Sequence, residues 1–186
     1  MYSSAETTVL FSGGVDSAAC AHYLQKRGNR IRALFVDYGQ KAAPFEHAAA
    51  QQLSAFLHVG LSVIRVVTER SFGGGEITGR NAFLVFASIL DDSPPQCQLI
   101  ALGLHAGTPY YDCSPAFLEA TNRLVAEYTD GRTRVIAPFI DWTKRDIFDY
   151  ALRSDLPLDL AYSCEAGGSV PCGSCLSCRD REMLSC

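Results

Sequence analysis

Ser12-Gly13-Gly14-Val15-Asp16-Ser17 lies between an apolar β-prone run, Thr8-Val9-Leu10-Phe11, and a helix-forming run, Ala18-Ala19-Cys20-Ala21-His22-Tyr23-Leu24. A strand that turns directly into a helix leaves the first N–H groups of that helix without partners. Gly13 and Gly14 can take positive φ and let the backbone close around a ligand. The unpaired N–H groups and the helix dipole then form an anion site, with Ser12 and Ser17 as further hydroxyl donors. Asp16 cannot meet a phosphate directly, so its carboxylate points to a bound cation or to a fixed loop. No Gly-Lys-Ser/Thr follows, so this is not a Walker A loop. A plain Gly/Ser turn ahead of a helix competes with this reading; the strand–loop–helix context favours phosphate.

Outward from that loop, composition bounds the rest. The chain has 186 residues, 48% of them hydrophobic, enough to bury one sizeable core, so a single domain over residues 1–186 is expected. A net charge of −4 argues against a large nucleic-acid footprint. Met1-Tyr2-Ser3-Ser4-Ala5-Glu6 carries no basic region ahead of an apolar stretch, and no apolar run is long enough to span a bilayer. A soluble cytoplasmic protein with no membrane partner is expected.

After the first helix the chain alternates strand and helix patterns, as an α/β fold with a parallel sheet does. Ile31–Val36 is a largely apolar strand ending in Asp37-Tyr38-Gly39-Gln40. Ligands of open α/β sheets sit beyond the carboxyl ends of strands, so this tetrad faces either a ligand or a simple turn. A helix over Ala42–Leu57 carries Phe45, Ala49, Leu53 and Phe56 as a core stripe, with His47 and His58 on the surface. Gly60–Val67 reads as a third strand, and the polar Thr68–Thr78 segment with Gly73-Gly74-Gly75 as a mobile loop. Gly79-Arg80-Asn81 opens a helix over Ala82–Leu90 with Asn81 as N-cap, and Arg80 either clamps a phosphate or makes a surface ion pair. Asp91-Asp92-Ser93-Pro94-Pro95 breaks the chain before a fourth strand, Leu99–Gly103.

That strand runs into His105-Ala106-Gly107-Thr108-Pro109-Tyr110-Tyr111-Asp112-Cys113, a segment suited to a flat aromatic substrate. Cys113 is either a nucleophile or a buried, hydrogen-bonding thiol, and nothing in the sequence lowers its pKa. Ser114-Pro115 starts a helix to Tyr128 that buries Phe117, Leu118, Leu124 and Val125. A fifth strand, Thr133–Phe139, precedes a helix over Lys144–Leu152. Lys144 falls in the first turn, where a cation opposes the helix dipole, so it is either functional or misplaced by chance.

Cys164, Cys172, Cys175 and Cys178 form the second strong signal. Four thiolates at that spacing can close a tetrahedral zinc site with Zn–S of about 2.3 Å. Two disulfides are the alternative, and the absence of an export signal favours structural zinc. Cys20, Cys97 and Cys186 have no apparent partner.

Phe11 to Ser17 resembles the SGGxDS pyrophosphate loop of the N-type ATP pyrophosphatases, the PP-loop enzymes. Together with Asp37-Tyr38-Gly39-Gln40, Gly79-Arg80-Asn81, Tyr110-Tyr111-Asp112-Cys113 and the four-cysteine pattern, it resembles the 7-cyano-7-deazaguanine synthase family. The resemblance implies a three-layer, doubly wound, Rossmann-like PP-loop ATPase fold with a C-terminal zinc motif. It also implies ATP-dependent conversion of 7-carboxy-7-deazaguanine and ammonia to the nitrile, through adenylated intermediates and with release of AMP and pyrophosphate. Ser12, Gly13, Gly14, Val15, Asp16 and Ser17 would hold pyrophosphate with magnesium. Phe11, Asp37, Tyr38, Gly39, Gln40 and Arg80 would line ATP. Tyr110, Tyr111, Asp112 and Cys113 would line the deazapurine, while Lys144, Asp16 and Arg80 would serve catalysis. A homodimer is expected with it.

Four features depart from the family pattern. The Thr68–Thr78 loop is short, and Thr78 replaces a proline. The Gly103–Asp112 loop is also short and lacks an acidic residue. Tyr111 replaces a second proline, and no terminal helix is expected before Cys186. All concern the substrate side or the rim, which leaves room for a related reading: attachment of a deazaguanine to a protein, as an amide, or to DNA in bacterial antiphage defence. A tRNA-thiolating PP-loop enzyme would need a basic surface that the net charge of −4 speaks against. A nucleotide-binding subunit without turnover is the remaining alternative.

Overall fold

Val9, Phe11, Ala33 and Phe35 project to one side of the central strands, and Leu10, Leu34 and Val36 to the other, so the sheet needs cover on both faces. The computed structural model, which describes residues 5–92 and 98–184, supplies that cover. Five parallel strands, β1 (Glu6–Leu10), β2 (Arg30–Asp37), β3 (Gly60–Arg65), β4 (Leu99–Ala101) and β5 (Arg134–Ile136), lie in the order β3-β2-β1-β4-β5. The register aligns Thr8 with Arg32 on one side and with Ile100 on the other. Helices α1 (Val15–Gln25), α2 (Ala43–Phe56) and α5 (Lys144–Arg153) cover the Val9 face; α3 (Arg80–Asp91) and α4 (Pro115–Thr129) cover the Leu10 face. The result is a three-layer, doubly wound α/β fold.

β1 is central, and the chain departs from it first toward β2 and later toward β4. The carboxyl ends of β1 and β4 therefore flank the switch point where such sheets bind ligands. Each helix that follows a parallel strand begins at that edge, so the N-termini of α1, α3 and α5 face it.

Several expectations are corrected. β3 stops at Arg65, and Val67 is fully exposed. Phe56 is 46% exposed, because it ends α2 beside β3, where the sheet itself ends. Leu124 is exposed on α4, whose inward face is carried by Phe117, Thr121 and Val125. His47 stacks on the buried Phe35 ring at 5.2 Å rather than standing free on the surface. The Thr68–Thr78 segment is anchored: Phe72 N–H donates to Gly39 O (2.9 Å) and Lys41 N–H to Phe72 O (3.0 Å). A short helix, α6 (Leu176–Met183), follows the third cysteine of the motif, where no terminal helix was expected. The readings of Met1–Ser4, Ser93–Pro95, Cys97 and Cys186 lie outside the described residues.

Candidate active site and four-cysteine cluster

A cavity of about 620 Å³ opens at the carboxyl ends of β1 and β4, within the usual range of small-molecule sites. Its floor is the Ser12–Ser17 loop. Gly14 is the N-cap of α1 and no side chain caps the helix, so the first-turn N–H groups remain available to an anion. Ser17 Oγ donates to Gly14 O (3.0 Å) and lies 3.3 Å from Ser12 Oγ, which fixes both hydroxyls at the loop. Phe11, Ser12, Gly14, Val15, Asp16 and Ser17 all line the cavity.

Gly13 does not line it. With φ of +79°, it packs against α2, and a Cβ there would lie 2.4 Å from Glu46 O. Only glycine lets the loop lie this close to the neighbouring helix.

Lys144 and Asp16 are 128 residues apart in sequence, and Lys144 Nζ lies 2.5 Å from Asp16 Oδ2. The pair resolves the conflict posed by a cation in the first turn of α5. Asp16 supplies the counter-charge, and a capping box between Thr143 and Asp146 secures the helix start. Asp16 Oδ1 is buried with no hydrogen-bond partner among the described residues. A carboxylate oxygen held that way beside a phosphate-type loop suits a hard cation.

Arg80 opens α3 and lines the cavity beside Tyr38 and Gln40. It makes no ion pair among the described residues, so the surface-pair explanation is not the one seen. Its Nε donates to Asn81 Oδ1 at 3.3 Å. Asp37 and Gly39 shape the turn behind these groups, with Gly39 N–H donating to Asp37 Oδ1 (3.1 Å). Glu46, which sequence reading missed, reaches the cavity and accepts from Gln40 Nε2 at 2.9 Å. Burial raises its pKa against the opposing effects of Gln40 and Arg80.

Tyr110 and Cys113 line the far wall; Tyr111 and Asp112 do not. Tyr111 is 63% exposed and meets Phe117 edge-on at 6.0 Å. Asp112 is a supporting group: its Oδ2 accepts the Asn81 N–H (3.2 Å) at the start of α3. Asn81 is thus not the expected N-cap. That position is Gly79, and the Asn81 side chain, buried, donates to Asp112 O at 2.9 Å. Burial first, then the Asp112 charge, push the Cys113 thiol up to about 11. It is a neutral thiol, not a poised nucleophile.

The sulfur atoms of Cys164, Cys172, Cys175 and Cys178 all lie within 4.8 Å of one another, and none is in a disulfide. A tetrahedral thiolate site would place sulfurs about 3.8 Å apart, so this cluster can hold a metal ion. Hydrogen bonds from the Ser174 hydroxyl and from backbone N–H groups lower the Cys172 pKa to about 6. The cluster also builds the site, because α6 begins at its third cysteine and Leu176, Ser177, Asp180 and Arg181 line the cavity. Glu165 joins the two regions: Oε2 accepts from Gly75 N–H (2.8 Å) and Oε1 from Ser177 Oγ (2.9 Å). Neither α6 nor Glu165 carried a sequence signal, since both acquire their place only when the cysteines close.

The family model described as "Queuosine biosynthesis protein QueC" matches residues 6–82 and 76–184, with its two pieces meeting just after the glycine loop. 7-Cyano-7-deazaguanine synthase of Prochlorococcus marinus (strain NATL2A) is 32% identical, with 95% of this chain and 91% of that protein covered. The enzyme of the same name from Paracoccus denitrificans is 30% identical, with 95% and 87% covered. The Prochlorococcus match runs over 206 residues against the 186 of this chain, so the relative carries extra residues within the matched region. A solved structure described as a predicted subunit of tRNA methyltransferase from Methanocaldococcus jannaschii superposes with a TM-score of 0.54, at 16% identity, covering 80% of this chain and 74% of that one. It shares the fold alone. With the phosphate-type loop and the helix that follows the third cysteine lining one cavity, and a family model matched nearly end to end, the chain belongs to the QueC family of queuosine biosynthesis proteins.

Proposed function

We propose that this chain is an ATP-dependent ligase that converts 7-carboxy-7-deazaguanine and ammonia into 7-cyano-7-deazaguanine, cleaving ATP to AMP and pyrophosphate. The observation that carries this reading is the Asp16–Lys144 pair at the phosphate-type loop, in a chain that matches synthases of that name over 95% of its length. The Ser12–Ser17 loop would hold the leaving pyrophosphate. Asp16 would hold magnesium through its unpartnered Oδ1, and that ion would neutralise phosphate charge. Lys144 would turn to the α-phosphate as negative charge develops there, an effect often among the largest in catalysis. Phe11, Tyr38, Gln40 and Arg80 would line ATP, and Tyr110 and Cys113 the deazapurine, with Asp37, Gly39, Tyr111 and Asp112 supporting them.

The four-cysteine cluster would hold a structural zinc, since four sulfur ligands leave no open position. The whole of residues 1–186 would act as one synthase domain, in the cytoplasm, where thiols stay reduced. Gly74, Gly75, Ala106 and Gly107 at the cavity rim are exposed, and a second copy in a homodimer would cover them. The names of the relatives favour ammonia over a protein or DNA acceptor and give no support to a defence role.

The test is mass spectrometry of the products from ATP, magnesium, ammonia and 7-carboxy-7-deazaguanine. Nitrile formed at about 0.1 per second or faster, with AMP and pyrophosphate, is the expected result. ADP and phosphate as products would refute the reading. A trace of nitrile beside a partner protein that gains an amide-linked deazaguanine would move the acceptor from ammonia to that protein.

A further inference from the structure

The synthase reading leaves one proton transfer without an agent. Ammonia at neutral pH is mostly ammonium, whose nitrogen has no free electron pair with which to attack an acyl-adenylate. A base inside the cavity would release it at the point of attack.

His105 stands at the carboxyl end of β4, where Leu102 N–H donates to Ile136 O (3.0 Å), His105 bridges to Phe139, and Ala106 N–H donates to Trp142 O (2.8 Å). These backbone ties fix the residue on the cavity wall that also carries Tyr110. Its Nδ1 lies 2.7 Å from Ala106 O. A carbonyl oxygen only accepts, so Nδ1 is the donor in this contact, and in the uncharged form of the ring the lone pair lies on Nε2. No other histidine lines the cavity among the described residues: His22 is bonded to the Tyr150 hydroxyl (2.9 Å) and His47 is stacked on Phe35. Of the four carboxylates around the cavity, Asp16 is bonded to Lys144, Glu46 to Gln40, and Glu165 to Gly75 and Ser177, which leaves Asp180 as the rival base that the test must separate from His105.

We propose that His105 is the catalytic base that deprotonates ammonium for attack on the acyl-adenylate, an assignment that rests on the synthase reading above. Nε2 takes one proton from ammonium. The freed nitrogen pair forms the C–N bond, and the C–O bond to AMP breaks with its electron pair leaving on the AMP phosphate. A second proton passes from the attacking nitrogen to water, giving the amide, AMP and two protons per ammonium consumed. The imidazolium returns its proton through the exposed rim at Ala106 and Gly107.

The test separates adenylation from amidation. The first is read by substrate-dependent exchange of labelled pyrophosphate into ATP. The second is read with ammonium chloride and with hydroxylamine, which is neutral near pH 7 and traps acyl-adenylates without needing a base. His105→Gln and His105→Ala should keep exchange within about twofold and keep hydroxamate formation, while amide formation from ammonium falls by about 100-fold or more. Added imidazole should partly restore His105→Ala. Unchanged ammonium rates would overturn the assignment. So would equal loss with both nucleophiles, which would make His105 a binding or structural residue. The assignment is likewise overturned if Asp180→Asn, at the remaining cavity-lining carboxylate, shows the ammonium-specific loss instead. If the unmodified protein shows no exchange at all, the synthase reading fails and this inference falls with it.

Discussion

At Asp16 one carboxylate oxygen is tied to Lys144, and the other is buried without a hydrogen-bond partner among the described residues. Asp16→Asn removes the charge that balances Lys144 and weakens the proposed cation site while keeping the shape. It should lower turnover by about 100-fold or more with an unchanged circular dichroism spectrum. A second residue-scale consequence concerns pH. Burial, and next the Asp16 charge, push the Cys20 thiol from 9.0 up to about 12, and burial first pushes Cys113 from 9.0 up to about 11. Folding raises both values, so the stability gained by keeping these thiols neutral is complete below pH 9 and is lost as pH rises toward the folded values. The thermal midpoint should therefore fall between pH 9 and pH 11, and Cys20→Ala should flatten that fall. Melting curves across that interval decide it.

Elements, rather than single side chains, hold the proposed catalytic groups in place. α5 starts with a capping box in which Thr143 Oγ1 accepts from Asp146 N–H (3.2 Å) and Asp146 Oδ2 accepts from Thr143 N–H (2.8 Å). Lys144 is the first residue of that helix. Thr143→Ala should cost about 1 kcal/mol of stability and should lower kcat with little change in KM, because the frayed turn misplaces Lys144. Thr143→Ser, which keeps the cap, should restore both. The β1–α1 loop depends on α2 in a similar way. Gly13→Ala places a methyl group 2.4 Å from Glu46 O and 2.8 Å from Ala50 N at a φ of +79°. The cost should exceed the roughly 1–2 kcal/mol of the left-handed backbone alone, and the variant should be recovered mainly as insoluble protein.

At the scale of the whole molecule, the four-cysteine cluster supports a cavity wall. α6 contributes Leu176, Ser177, Asp180 and Arg181 to the lining, and Arg181 Nη1 donates to Ala161 O (2.8 Å). Elemental analysis should find one zinc per chain, and Cys175→Ser should reduce it. Structural zinc in small motifs contributes on the order of 10 kcal/mol of folding energy. Loss of the metal should therefore open residues 164–184 to protease. Because the wall goes with it, ATP affinity should fall in the same variant, measured by calorimetry on the soluble fraction.

The sequence alone determined the parts of this protein that depend on short-range order. Ser12 to Ser17 is contiguous, so strand, loop and helix N-terminus could be read as one anion site. The cysteine spacing likewise defined the four-cysteine cluster without reference to the fold. Alternating apolar runs fixed the order of strands and helices, and sidedness on the sheet then followed from the period of two. Tertiary structure decided what depends on distance between remote segments. The pairing of Lys144 with Asp16 spans 128 residues, and only the parallel sheet brings both helix N-termini to one edge. Asp112 read as a substrate contact and proved to support α3, because its partner Asn81 arrives from another crossover. Glu165 and α6 had no local signature either. A side chain's partners set its chemistry, and for these groups the partners lie outside any window of sequence.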